Sequence, residues 1–512
     1  MDKRTISLLT DYFITENNID ISREYEITSI PARDLICADR FDLMAKWIYI
    51  DARERNMDMT YAIRVYKDNI NSFSCGSFLE PGSNDKDSFQ KYLDQFNTLI
   101  DEIKKNGFDS SKSLIPVGDN DRIFDGSHRV SAAAYYNKDV MIIRLPGKKP
   151  NYDYNYRYFR KYIMNEINMG YMAIQYAYLK NNCFFACIWP SADRNRIQNA
   201  EKLLMKLGSI VYSQDVYMTY EGMRSFMVQI YGAQRWVGTI EDKFEGVNAK
   251  AHLCYNKRYP VKAYLIEVKE SDKVVPIKKK IRDIFEIENH SIHISDDKQE
   301  TVAMAEMLYN PNSVNFLNYS KPFEYSRIYK CLDVFNREIY DKGYDRGRFI
   351  IDSSAVLEVC GLRQAEDVDY LTDYKGEVIS DDNLDNHEGQ LQYHRISVPD
   401  MLYNPENYFY YYGFKFLSVY RLVEMKTLRN EPKDQRDVEL TKAYIRRFDN
   451  TPTEFRKETI DMIYNYQIGR KDYGHGPLSY EEYKKQKRKE TKDKIIQHLE
   501  KAVIILKRRL PE

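Results

Sequence analysis

Residues 349–371, FIIDSSAVLEVCGLRQAEDVDYL, constrain the fold of this chain more than any other stretch. An apolar run ends in a small hydroxyl-bearing turn, Ser353-Ser354. A helix-forming segment follows, and then a second apolar run that carries Asp367 and Asp369. The periodicity predicts strand, turn, helix, strand. Residues i and i+2 of a strand share a face, so Asp367 and Asp369 project together. Two like charges side by side are costly unless a cation sits between them. The spacing therefore predicts a divalent-metal site, for Mg²⁺ or Mn²⁺ with nucleotide phosphates. Backbone N–H groups and hydroxyls at Ser353 and Ser354 are placed to meet a phosphate at the helix start. The plain alternative is a buried βαβ edge with acids at a strand tip.

This order resembles the DNA polymerase beta-like nucleotidyltransferases, in which a small pair, usually Gly-Ser, precedes a helix and then an Asp-x-Asp. Ser353 stands where the Gly is usual. The resemblance implies a nucleotidyltransferase-type mixed sheet, with Asp367 and Asp369 catalytic and metal-binding. It also implies that Ser353 and Ser354 bind nucleotide and that the cosubstrate is an NTP such as ATP or CTP. Residues 377–380 and 391–396 read as further strands. Gly413-Phe414-Lys415-Phe416 reads as the start of a helix carrying Arg421 and Lys426, with Lys415 assigned to nucleotide binding. Arg429, Lys433, Asp434 and Asp437 resemble the Arg…Lys-Asp-x-x-Asp tail of this superfamily. For Asp434 and Asp437 an intradomain ion-pair network is the preferred reading. Active members need a third carboxylate. Asp385, Glu388 and Asp400 are candidates, none with strand context, and His387 either reaches a phosphate or metal or caps its loop. The aromatic run at 408–412 reads as core.

Near the N-terminus, charged Arg40, Asp42 and Lys46 interrupt an apolar segment that reads as helical by its end. Residues 74–88 have loop composition and contain Glu80, Asp85 and Lys86. Residues 114–117 and 123–124 read as strands, and Asp125-Gly126-Ser127-His128-Arg129 opens an Ala-rich helix. A Gly-Ser turn at a helix start with an adjacent Arg suits a phosphate. This element resembles that of the ParB/sulfiredoxin superfamily. The likeness implies that Gly126, Ser127, His128 and Arg129 hold nucleotide phosphates, as in its free-amino-acid kinases. Glu80 would be the catalytic carboxylate, against a solvated loop acid as the plainer reading. Ser127 at the position where sulfiredoxin uses cysteine disfavours sulfinic-acid reduction.

Residues 170–325 alternate strand and helix signals in the order of a ferredoxin-like α+β sandwich, with 235–251 read as a loop. The order is similar to that of nucleoside diphosphate kinases. Trp189-Pro190-Ser191-Ala192, Ile281-Arg282 and His293-Ile294-Ser295-Asp296 stand at the corresponding motifs. The likeness implies a catalytic His293. Trp189 in place of the family's Lys removes a phosphate contact, so a degenerate domain for assembly or docking is an equal alternative.

Length places these parts in sequence: 512 residues suit about three domains. The expected division is 1–165, 170–325 and 326–450, followed by a helical tail, 451–512, in an α+β multidomain chain. Lys+Arg and Asp+Glu are equal at 77 each, so no global basic field points to nucleic acid. Seven scattered cysteines without a CxxC pair read as core thiols rather than disulfides or a zinc site. No signal peptide and no apolar run long enough to span a membrane is present, which predicts a cytoplasmic protein. A homo-oligomer is compatible with the sequence. The combined expectation is a nucleotide-dependent phosphoryl or nucleotidyl transferase acting on a small metabolite, in the manner of surface-glycan precursor synthesis. The alternatives are a nucleotidyltransferase that modifies protein or RNA, and a degenerate nucleotide-sensing or assembly scaffold.

Overall fold

The computed structural model describes residues 3–80, 86–376, 378–379 and 381–450, with isolated helical positions 485, 488, 489 and 492. The expected tail over 451–512 lies outside the described residues apart from those four positions, as does Asp85. Three sheets follow one another along the chain in a mixed α and β architecture.

The first sheet holds β1 (Ile27–Pro31), β2 (Ile115–Val117) and β3 (Asp139–Arg144) in the order β1-β3-β2. Strand β3 is antiparallel to β1 and parallel to β2. Helices Leu43–Glu54, Met59–Phe73, Phe89–Asn106 and Ser127–Tyr135 pack beside it. The strand expected at 123–124 is a single bridge from Ile123 to Val117.

The second sheet holds β4 (Cys183–Ile188), β5 (Gly208–Val216), β6 (Val261–Val268) and β7 (Ile292–Ile294) in the order β5-β6-β4-β7, antiparallel throughout. Helices Ile197–Leu207 and Val274–Phe285 follow β4 and β6 and pack together. Helix Lys298–Tyr309 packs against β4. A central strand flanked in this way needs no polar face, and CFFACI in β4 is apolar throughout. The 235–251 segment is not all loop, because its end begins the helix Val247–Cys254.

The third sheet holds β8 (Phe349–Asp352), β9 (Val368–Thr372), β10 (Leu384–Asn386), β11 (Tyr408–Tyr411) and β12 (Phe414–Leu417) in the order β10-β9-β8-β12-β11. The expected strand–helix–strand unit is present as β8, the helix Ser353–Val359 and β9. Three local expectations are corrected. Residues 413–416 start no helix: Phe414–Leu417 is strand β12, and the helix begins at Val419 after Ser418 caps it. Residues 391–396 form no strand, because His387–Tyr393 is a 3₁₀ helix. No strand includes 378–379.

Helices from the middle of the chain cover the exposed edge of the third sheet. The Tyr410 N–H donates to Ser313 Oγ at 2.9 Å, and the Phe316 ring stacks on Phe409 with centroids 4.5 Å apart. Such a cover removes the unpaired edge that an outer strand otherwise presents. The fully buried Glu306 carboxylate accepts hydrogen bonds from Tyr178 at 3.0 Å and Tyr408 at 2.9 Å. One hydrophobic cluster runs from Ala32 to Tyr444. Among the described residues no helix is long and apolar enough to cross a membrane, and all seven cysteines are free.

Candidate functional site

Two places gather the residues singled out by the sequence. The first is the end of the third sheet where β8, β9 and β10 finish side by side. Asp352 of β8 is in register with Asp369 of β9, and Asp369 is in register with Asp385 of β10. Residues directly opposite on neighbouring strands share a face. Three carboxylates therefore form a row across three adjacent strands, with Asp367 two positions before Asp369 on the same side. Asp385, for which the sequence offers no strand context, gains it from β10.

The row is electrostatically uneven. Asp352 is fully buried, and its Oδ1 accepts the Ser353 N–H at 2.6 Å. Its Oδ2 lies 2.9 Å from His387 Nδ1 and 3.1 Å from His394 Nε2. Burial pushes the Asp352 carboxyl up, but the two imidazoles outweigh it and hold it well below the usual carboxylate range. Burial lowers His387, but the hydrogen bond and charge of Asp352 leave it raised. Asp369 is raised, chiefly by burial and then by Asp367, with His387 opposing. Asp385 is exposed and Asp367 half-buried. Carboxylates are hard oxygen donors of the kind Mg²⁺ or Mn²⁺ takes, but among the described residues the group whose donor atoms all lie within 4.8 Å of one another is Asp352, His387 and His394.

Ser353 adopts φ +58°, the left-handed conformation that normally selects glycine. Its side chain also reaches Asp369. Ser354 is half-buried in the first turn of the same short helix.

The other candidates in this region take structural roles. Lys415 is buried in β12, and its ammonium donates to the Leu402 carbonyl at 2.6 Å and to the Gly347 carbonyl at 3.2 Å. Gly347 precedes β8, so Lys415, expected at the nucleotide, is held toward the opposite end of the sheet from Asp352. Asp400 caps the helix Val398–Tyr403 through Ser397 and accepts the Asp58 N–H at 2.8 Å. Glu388 is exposed in the 3₁₀ turn. Asp434 and Asp437 form the expected ion-pair network with Lys426, Arg429 and Arg363.

The second place is a cavity of about 610 Å³ beside the first sheet. Glu80, Gly126, Ser127, His128 and Arg129 all line it, together with Arg40, Asp42, Lys46 and Lys86. Gly126 has φ +92°, and a Cβ there would meet Ile115 Cδ1 at 2.6 Å, so the turn requires glycine. His128 Nε2 shares a 2.8 Å hydrogen bond with Tyr66 OH. Desolvation, with Lys46, Lys86 and Arg129 nearby, holds the imidazole far below its usual value and therefore neutral. Glu80 pairs with Lys86 at 2.7 Å and Arg129 with Asp125 at 2.9 Å. Deeper in, Arg40 grips both Asp42 oxygens at 2.9 Å, while Lys46 lies 3.3 Å from the same carboxylate and 3.0 Å from Asn69 Oδ1. Two buried cations share this acid, and over the whole lining Arg40, Lys46, Lys86 and Arg129 are matched by Glu16, Asp42, Glu80 and Asp125. Charges interrupting an apolar helix were the signal for this trio.

His293 is not brought to either place. It sits in β7 with its side chain 6% exposed. Its Nε2 is 2.8 Å from Glu300 Oε1 and its Nδ1 3.1 Å from Tyr231 OH. Trp189 stacks at 6.5 Å between centroids. Both nitrogens are occupied and the ring is covered: the histidine expected as a nucleophile is packed and hydrogen-bonded. Asp352 and His394 are site residues that sequence reading missed: Asp352 reads as the end of an apolar strand, and residues 391–396 read as a strand with no chemistry attached. No family model, no curated protein and no solved structure matches this chain.

Proposed function

We propose that this chain is a divalent-metal-dependent nucleotidyltransferase that takes a small hydroxyl-bearing acceptor. The observation that carries the reading is the in-register row Asp352, Asp369 and Asp385, with Asp367 beside it. Such a row, ending at a turn whose first residue has φ +58°, suits a metal-bound triphosphate. When bound, Mg²⁺ or Mn²⁺ neutralises phosphate charge and orients the nucleotide. Asp367 and Asp369 would hold it, and Asp385, open to solvent, supplies the third acid such chemistry uses. The acceptor oxygen forms a bond to the α-phosphorus as the bond to pyrophosphate breaks.

The cavity beside the first sheet supports a second phosphate-handling role for the same chain. Its Arg40, Lys46, Lys86 and Arg129 side chains, neutral His128 and Gly126 turn suit a phosphorylated small molecule or nucleotide, in line with a ParB/sulfiredoxin-like kinase part. The strand order β5-β6-β4-β7 supports a ferredoxin-like middle part, and the sequestered His293 favours a packing role for it.

The test incubates the full chain with each common ribonucleoside triphosphate, Mg²⁺ and a metabolite extract, and reads pyrophosphate release and mass gain on the acceptor. The double variant Asp367→Asn/Asp369→Asn is expected to lose release by about 100-fold or more, as when a principal electrostatic contact of a transition state is removed. Unchanged release in that variant refutes the assignment.

A further inference from the structure

We propose that Asp352, His387 and His394 bind one divalent transition-metal ion, at a site distinct from the Mg²⁺ expected on the Asp367/Asp369 carboxylates. One donor atom from each residue lies within 4.8 Å of the other two. His387 Nδ1 is 2.9 Å and His394 Nε2 is 3.1 Å from the same oxygen, Asp352 Oδ2. Donor atoms about 2.0–2.1 Å from a common zinc-like ion, at angles of about 90–110°, stand about 2.9–3.4 Å apart. The two separations to Asp352 Oδ2 fall in that range, and the two imidazole nitrogens lie within 4.8 Å of each other.

The independent observation is His394. Its side chain is 1% exposed, yet its Nε2 has no hydrogen-bond partner although it faces Asp352. A buried ring nitrogen aimed at a buried carboxylate without a hydrogen bond to it is costly. A metal ion satisfies the nitrogen and the carboxylate together.

The donor set selects the metal. Two imidazoles and one carboxylate suit Zn²⁺, Fe²⁺ or Co²⁺, whereas Mg²⁺ takes oxygen donors. Three protein ligands leave coordination positions open, as in catalytic rather than closed structural sites. Bound there, the ion fixes the 3₁₀ turn His387–Tyr393 onto the end of β8, beside the carboxylate row. The inference does not rest on nucleotidyl transfer: Asp352 also stands in the carboxylate row, but the two imidazole ligands take no part in that reading.

The test titrates Co²⁺ into untagged, chelator-stripped full chain and reads visible ligand-field absorption. One equivalent is expected to bind with imidazole character, to be displaced by Zn²⁺ and to resist excess Mg²⁺. His394→Ala is expected to weaken binding at least about tenfold, no less than the loss of a mere outer-shell partner. Asp369→Asn is expected to retain binding, which separates this site from the nucleotidyltransferase assignment. Absent binding, displacement by Mg²⁺, or unchanged affinity in His394→Ala overturns the proposal. Should His394→Ala misfold, X-ray absorption on the Zn²⁺-loaded native chain decides: two imidazoles support the site, and fewer refute it.

Discussion

Asp42 shows how one residue holds a charged site together at the bottom of the first cavity. It is 2% exposed, and burial alone pushes its carboxyl up. Arg40 and Lys46 outweigh that and bring it down to about 2. Arg40 is the dominant partner, bidentate at 2.9 Å, and Asp42 in turn raises it. Lys46 is more loosely placed, and burial lowers it despite Asp42. The folded carboxyl lies below its unfolded value, so it contributes stability that is present above about pH 4 and lost as pH falls toward about 2. The expected contribution is about 2 kcal/mol. Denaturant melts at successive pH values check it: Asp42→Asn should show a shallower loss between pH 4 and 2 than the native chain. The residue types of both places were legible in the sequence because charges in apolar runs and acids at i and i+2 are unusual. Their partners were not. Asp352 meets His387 across 35 positions and His394 across 42, and no local pattern encodes such a pairing.

Elements were legible where one periodicity dominated. The β8, helix, β9 unit and the helices Phe89–Asn106 and Arg327–Asp341 follow from apolar spacing alone. Reading failed where segments were short and aromatic. FKFL has strand alternation but sits beside a glycine turn and just before a real helix, so strand and helix start were confused. LQYHRI carries β-prone residues, yet the 3₁₀ turn wins by delivering His387 and His394 to Asp352. The helix pair Val419–Arg429 and Pro432–Ile445 is held by a network that the sequence did suggest. Lys426, 1% exposed, lies 3.0 Å from Asp434 and 2.9 Å from Asp437. Asp434 also takes both Arg429 bonds at 2.9 Å, and Asp437 takes Arg363 at 2.6 Å. Removing one partner of a buried pair strands the other charge, so Asp434→Ala should cost about 3–5 kcal/mol in a urea melt. Exposed pairs give the contrast: Lys104→Ala, which breaks a bond to Glu54, should cost no more than about 1 kcal/mol.

At the scale of the whole molecule, apolar and polar contacts run between the three sheets. The core cluster is continuous from Ala32 to Tyr444. Helix Glu166–Leu179 is buried over most of its surface and packs on helices Leu43–Glu54 and Lys298–Tyr309 as well as on β5. The Asp58 N–H reaches Asp400, Arg64 pairs with Glu406, and Glu306 takes hydroxyls from Tyr178 and Tyr408. Independent domains meet through polar, modest interfaces and unfold separately, whereas a shared apolar core couples them. The chain should therefore unfold in one transition. Its three tryptophans, Trp47, Trp189 and Trp236, report on the first two sheets. Cys360, 2% exposed, reports on the third through pulsed thiol labelling read by mass spectrometry. The urea midpoints of fluorescence and Cys360 labelling should coincide in the native chain, and separated midpoints would show independent units. Glu306→Ala leaves the buried Tyr408 hydroxyl without its acceptor at the seam between the second and third sheets and removes the bond from the more exposed Tyr178. It should cost about 2–4 kcal/mol and draw the two midpoints apart, because the lost bonds tie β11 to the helices of the middle sheet.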